Sequence, residues 1–139
     1  MATSPARREP NGRPPSKALR VLVVDDNIDT ADTLARLLEL EGHHVRRAHD
    51  GPTALETANA FLPDAVVLDL GLPGMDGFEV ARRLRARAEG NGPLLVAVSG
   101  YGRDEDRHKS RQAGFDHHLV KPAEIGTLRS LLTAPGARS

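Results

Sequence analysis

Five short apolar runs alternate with segments of helical period along this chain, and that alternation leaves few folds open. Leu19 to Val24 is a β-branched run of strand length that ends abruptly at Asp25 and Asp26. Ile28, Ala31, Ala35 and Leu38 then recur at spacings of 3, 4 and 3, one face of a helix, and Gly42 closes it. His44 to Ala48 reads as a second strand, more polar and nearer an edge. Asp50, Gly51 and Pro52 open a helix with proline just inside it, and Ala54, Leu55, Ala58 and Phe61 supply its inward face. Ala65 to Leu68 is a third strand leading into Asp69. A loop with Gly71, Pro73 and Gly74 follows, then a helix from about Gly77 with Phe78, Ala81, Leu84 and Ala88 inward. Leu94 to Val98 is continuously apolar, as a strand buried on both faces must be. A polar helix from Asp104 to Ala113 stops at Gly114. His118 to Val120 is the fifth strand and Glu124 to Leu132 the last helix. Five βα repeats with short loops predict an α/β fold, a parallel sheet wrapped by helices. The strands are too few for an eight-fold barrel.

The chain has 139 residues, enough for one core. Residues 1–17 are rich in Pro, Arg, Ser, Asn and Gly and read as a disordered basic arm, with residues 134–139 a frayed tail and residues 18–133 the domain. Formal charge sums to zero, so no global field argues for nucleic acid or an anionic membrane, and no direct DNA binding is expected. Residues 1–20 hold five of the 19 Lys and Arg and only Glu9 of the 19 acids, leaving the remainder at −4. Without cysteine there are no disulfides, thiolate metal sites or Cys nucleophiles. No apolar run approaches the roughly 18 residues that span a bilayer, and the N-terminus has no apolar signal region. The expectation is a cytoplasmic protein without a membrane partner.

The reactive side chains recur at one place in the repeat. Asp25 and Asp26 follow the first strand, Asp69 ends the third, Ser99 the fourth and Lys121 the fifth. In an open parallel sheet, sites form outside the carboxyl ends of the strands where strand order reverses, so these five side chains are predicted to converge. Three close carboxylates repel unless a cation intervenes. Oxygen ligands without His or Cys select a hard divalent ion, here Mg²⁺. With Lys121 as a fixed positive charge, the cluster suits phosphoryl transfer to a carboxylate, where catalysis is mainly positioning and charge neutralisation. Asp69 is the better nucleophile because it stands alone on a central strand, while Asp25 and Asp26 form a pair suited to metal. Ser99 can donate a hydrogen bond to a phosphoryl oxygen.

With Val24, Asp25, Asp26 and Asn27, then Leu68 through Gly77 around Asp69, then Ser99, Gly100 and Tyr101, then Val120, Lys121 and Pro122, the chain resembles the bacterial response-regulator receiver domain, in its single-domain, chemotaxis-regulator-like form. The resemblance spans about residues 18–133. It implies the flavodoxin-like strand order 2-1-3-4-5 and assigns Asp69 as phospho-acceptor, with Asp25, Asp26 and the Gly71 carbonyl joining it around Mg²⁺. It gives Ser99 the hydroxyl switch position, Lys121 the phosphoryl contact, and Pro122 the proline whose bond to the lysine is usually cis. The aromatic switch residue of the family is His118 here; an imidazole can still alternate between buried and exposed rotamers but, unlike a phenyl or phenol ring, is a side chain able to change charge near neutral pH, so a weaker or pH-sensitive switch is expected. Tyr101 is placed to shield the acceptor. The implied partners are a sensor histidine kinase or histidine phosphotransfer protein and a downstream target. The target is met by the face of the fourth helix, fifth strand and fifth helix. The implied state is a monomer at rest, with dimerisation on phosphorylation left open. Such a domain assists its own phosphorylation and dephosphorylation without being an enzyme on a separate metabolite. It stands alone or is a segment of a longer protein.

Simpler roles exist for single residues. Asn27 can cap the first helix, but a cap needs one residue, not an acidic pair after an apolar run. The histidine pairs 43–44 and 117–118 point to opposite faces of their strands and lack the spacing of a zinc site. Arg82, Arg83, Arg85 and Arg87 read as a solvated helix face. Among rival functions, an aspartate-nucleophile phosphatase of the haloacid dehalogenase type expects a second Asp where Gly71 stands. A flavodoxin-like FMN carrier would find its phosphate repelled by Asp25 and Asp26. A degenerate receiver acting as a phosphorylation-independent docking module typically loses one of the five site residues, all of which this chain retains.

Overall fold

The computed structural model describes residues 18–72, 74–87, 92–100 and 104–133. Five strands, β1 (Arg20–Val24), β2 (His44–Ala48), β3 (Ala65–Asp69), β4 (Leu94–Ser99) and β5 (His117–Val120), alternate with five helices: α1 (Ile28–Leu40), α2 (Gly51–Phe61), α3 (Gly77–Arg87), α4 (Asp104–Ala113) and α5 (Ile125–Thr133). All strand pairs are parallel, in the order β2-β1-β3-β4-β5. The chain starts in β1, steps to one side for β2, then crosses to β3 and runs outward, so strand order reverses between β1 and β3.

Strand side chains alternate between two apolar layers. Leu22, Val24, Val66, Leu68, Leu95 and Ala97 pack with α2 and α3, while Val21, Val23, Val67, Val96 and Val98 pack with α1 and α5. β1, β3 and β4 are therefore sandwiched on both faces, which is why they read as unbroken apolar runs. The polar β2 lies at an edge, as its sequence predicts. Helix starts follow capping chemistry: Asn27 Oδ1 accepts the Thr30 amide at 2.9 Å, Asp50 Oδ1 that of Thr53 at 2.7 Å, and Asp76 Oδ1 that of Glu79 at 3.0 Å. Gly42 and Gly114, which end α1 and α4, sit at φ +97° and +106°, a region only glycine enters without strain.

Two expectations change. Ile28 is 58 % exposed, because it opens α1 above the sheet edge, while Ala31, Ala35 and Leu38 carry the buried stripe. The arginines of α3 are not one solvated face. Arg82 and Arg83 pair with Glu79 at the surface, but Arg85 reaches Asp116 at 2.7 Å, the Pro93 carbonyl at 2.8 Å and the Gly114 carbonyl at 3.0 Å. Its guanidinium satisfies backbone carbonyls that the turns around β4 and β5 leave unpaired. The readings of residues 1–17 and 134–139, Pro73, Ala88 and Tyr101 lie outside the described residues.

Candidate functional site

Register gathers the acids. Val24 of β1 stands beside Leu68 of β3, so Asp25 and Asp69 leave neighbouring strands at the same height, at the strand-order reversal. Carboxylate oxygens of Asp25, Asp26 and Asp69 all lie within 4.8 Å of one another. Asp25 and Asp69 are buried and Asp26 is exposed. Backbone amides fix the two buried carboxylates: Gly71 N–H donates to Asp69 Oδ1 and Asn27 N–H to Asp25 Oδ1, each at 2.9 Å. His49 donates from Nδ1 to the Asp25 carbonyl at 2.9 Å, which ties the β1 end to the loop after β2.

Lys121, after β5, points its ammonium into this cluster. Nζ donates to Asp69 Oδ2 at 3.1 Å and stands 3.9 Å from Asp25 Oδ2. The Lys121–Pro122 peptide bond is cis. Burial opposes the ammonium charge, but the hydrogen bond to Asp69 and the charges of Asp69, Asp25 and Asp26 outweigh it, and the Lys121 pKa is raised. The Asp25 pKa is raised as well, first by burial. The Asn27 amide opposes this, Asp69 pushes it further up, and Lys121 offsets part of that push. One ammonium does not neutralise three carboxylates, and the excess negative charge sits where water is partly excluded. The donor set is carboxylate oxygen with no nitrogen or sulfur, which fits a hard cation such as Mg²⁺. Among the described residues the candidate metal cluster consists of Asp25, Asp26 and Asp69 alone. The cluster opens into a pocket of about 590 Å³ between α1 and the loop after β5, with Leu34, Leu37 and Pro122 among its apolar walls.

Ser99 closes β4 and is buried, but its partner here is a histidine. Its Oγ lies 2.7 Å from His118 Nε2, and the other ring nitrogen, Nδ1, lies 3.0 Å from Ser110 Oγ on α4. The His118 ring thus already meets Ser99 in this arrangement. The physical reason is that imidazole presents two hydrogen-bonding nitrogens, and a serine hydroxyl awaits each. The structure thus unites Asp25, Asp26, Asp69 and Lys121 directly, and sets Ser99 on a branch that leads to α4. Gly71 contributes an amide to Asp69. Sequence reasoning missed Ser110. The signal was present in α4, whose stretch from Arg107 to Ala113 has no large apolar residue, so that Ser110 and Ala113 are what it buries.

A model of the response regulator receiver domain family matches residues 21–133. The transcriptional regulatory protein PrrA of Mycobacterium leprae is 41 % identical over 122 residues, covering 85 % of this chain and 52 % of that protein. An uncharacterised 14.6 kDa protein of Leptolyngbya boryana is 39 % identical over 104 residues, 75 % of this chain and 79 % of that one. The chain spans about half the length of the PrrA relatives it matches. The structure of Vibrio cholerae chemotaxis protein CheY4 aligns with a TM-score of 0.78 at 28 % identity, over 84 % of this chain and 97 % of that one. A Burkholderia pseudomallei response regulator, solved with a phosphorylated aspartic acid, calcium ion and citrate, aligns with a TM-score of 0.76 at 30 % identity, over 83 % and 66 %.

Proposed function

The chain belongs to the response-regulator receiver family, the phosphoacceptor switches of two-component signalling, and on that footing we propose that Asp69 is its phospho-acceptor. The observation that carries this reading is the carboxylate trio, all within 4.8 Å, with the Lys121 ammonium 3.1 Å from Asp69. Asp25, Asp26, Asp69 and the Gly71 carbonyl would hold Mg²⁺, which when bound supplies charge neutralisation at the phosphoryl oxygens. The phosphorylated aspartic acid and the calcium ion of the Burkholderia relative support the same chemistry.

The chain's own residues have separable tasks. A carboxylate oxygen of Asp69 attacks the phosphorus of a phosphohistidine on a kinase or phosphotransfer protein. The new O–P bond forms as the P–N bond to the donor imidazole breaks. The Gly71 amide holds the carboxylate against rotation, so it meets the donor in one orientation. Lys121, kept protonated by its acidic neighbours, balances charge on the incoming group. The Ser99 hydroxyl donates to a phosphoryl oxygen, and the new hydrogen bond favours the arrangement in which α4 and β5 shift. Only such a difference in binding between the two arrangements moves the population. The face of α4, β5 and α5 then changes its affinity for a downstream protein. The domain accelerates its own phosphorylation and hydrolysis and processes no separate metabolite.

Intact mass after incubation with acetyl phosphate tests the reading. One phosphoryl adduct is expected with Mg²⁺, and little without it or in Asp69→Asn. An equal adduct in that variant would remove Asp69 from the role.

A further inference from the structure

The peptide that joins Asp25 to Asp26 is gripped from the neighbouring edge strand. The β1–β2 register ends with Val24 beside Ala48, and the Asp25 amide donates to the Ala48 carbonyl at 3.0 Å. Beyond that point a side chain supplies the donor: His49 Nδ1 lies 2.9 Å from the Asp25 carbonyl oxygen. A carbonyl oxygen only accepts, so Nδ1 carries hydrogen whatever the state of Nε2. His49 is half-buried and stands between Ala48, the last residue of β2, and Asp50, the cap of α2, so its backbone is fixed on both sides. We infer that His49 is a positioning residue for the divalent cation: its imidazole fixes the peptide between Asp25 and Asp26, and through it the placement of the two acids around the ion. This inference rests on the proposal that Asp25, Asp26 and Asp69 hold that ion.

The three carboxylates are not equally secured. The Asn27 amide fixes Asp25, and the Gly71 amide and Lys121 fix Asp69. Among the described residues no hydrogen bond reaches the exposed Asp26 side chain, so its reach toward the other two is set by its backbone. A peptide unit is planar, so the Asp25 carbonyl, the Asp26 amide and both Cα atoms move as one plate. Rotation of that plate swings the Asp26 Cα, and the hydrogen bond from His49 opposes the rotation. Repulsion among three carboxylates whose oxygens lie within 4.8 Å of one another pushes the other way. Partners that orient metal-binding groups from outside are worth about 10–100-fold in metal affinity. A bond that merely satisfied a carbonyl would stabilise the fold and leave affinity for the ion unchanged. One that holds the acids in place acts on the ion.

The test titrates Mg²⁺ alone into the full chain by isothermal calorimetry, with no phosphoryl donor present, in the wild type, His49→Leu and His49→Asn. Asparagine carries an amide N–H at the reach of Nδ1, whereas leucine carries no donor. His49→Leu is expected to weaken Mg²⁺ binding about tenfold, and His49→Asn to recover most of that loss. With acetyl phosphate added, the Mg²⁺ concentration for half the maximal adduct rate should rise in His49→Leu by a larger factor than the maximal rate falls. Unweakened binding in His49→Leu, or equal losses in the two variants, would overturn the positioning role. Should His49→Leu fail to fold by circular dichroism, spectra of the wild type with ¹⁵N-labelled histidine decide, the His49 signal being assigned by its loss in His49→Asn. A protonated Nδ1 whose hydrogen exchanges more slowly once Mg²⁺ is added supports the role. An unprotonated Nδ1, or exchange indifferent to Mg²⁺, overturns it. A folded wild type that binds no Mg²⁺ would overturn the ion site itself, and the positioning role with it.

Discussion

Two glycines of this domain occupy early helical positions, yet their replacement by alanine should have opposite signs. Neither has a left-handed φ, so an L side chain is allowed on backbone grounds at both, and local space decides. A Cβ on Gly126 in α5 meets nothing within 4 Å. Gly126→Ala gains helix propensity and loses unfolded-state entropy, worth about 0.5–1 kcal/mol. A Cβ on Gly77 in α3 would lie 2.8 Å from Leu70 Cα, 2.9 Å from the Asp69 carbonyl oxygen and 2.9 Å from Leu70 Cδ2. Two of those atoms are backbone and cannot swing aside. Overpacking of this kind costs about 1–3 kcal/mol. The propensity gain offsets part of it, leaving a net loss of about 1–2 kcal/mol. For a domain of this size that is a fall in Tm of about 4–8 °C for Gly77→Ala, against a rise of about 2–4 °C for Gly126→Ala. Thermal unfolding followed by circular dichroism measures both. The relief available to Gly77→Ala is movement of the turn that starts at Asp69, so its phosphoryl adduct should also accumulate more slowly. A Gly77→Ala protein as stable as the wild type would refute the steric argument.

Further outcomes follow from the charged groups. His43 is buried and accepts the Leu19 amide on Nδ1 at 3.0 Å, which only the neutral ring can do. Burial lowers its pKa, Glu41 opposes this and His44 adds to it. The unfolded chain therefore binds the proton more readily, and stability is lost as pH falls through about 6.5 toward the lower folded value. Urea midpoints should drop between about pH 7.5 and pH 5.5, and the drop should be smaller in His43→Gln. An identical slope in the two proteins would exclude His43 as its source. At the acidic cluster, millimolar Mg²⁺ should raise the wild-type Tm in calorimetry, because a cation relieves the carboxylate repulsion. The gain should shrink in Asp69→Asn and vanish on chelation; an undiminished gain in the variant would place the ion elsewhere.

The fold was legible because each element carries its own signal. Three central strands declare themselves by unbroken apolarity from Val21 to Val24, Ala65 to Leu68 and Leu94 to Val98, and the edge strand β2 by Arg46 and Arg47. Caps at Asn27 and Asp50 and stops at Gly42 and Gly114 set helix limits close to those observed. The clustering of Asp25, Asp69 and Lys121 was also predictable, since parallel strands deliver their following residues to one edge. What could not be read depends on how far one element turns against another. Ser110 meets His118 only through the rotation of α4, Arg85 meets Asp116 across 31 residues, and His43 meets Leu19 across 24. None of these contacts has a period or a spacing. They are set by packing, and a polar side chain gives no advance sign of which buried partner it will find.

The acceptor assignment is tested most directly by trapping the acyl phosphate where it forms. After reaction with acetyl phosphate and Mg²⁺, borohydride reduces an aspartyl phosphate to homoserine, and peptide mass mapping then locates the converted residue. A single conversion at residue 69, Mg²⁺-dependent and depressed in Lys121→Ala, is the predicted result. Conversion at Asp25 or Asp26, or none in a folded and metal-loaded protein, would contradict it.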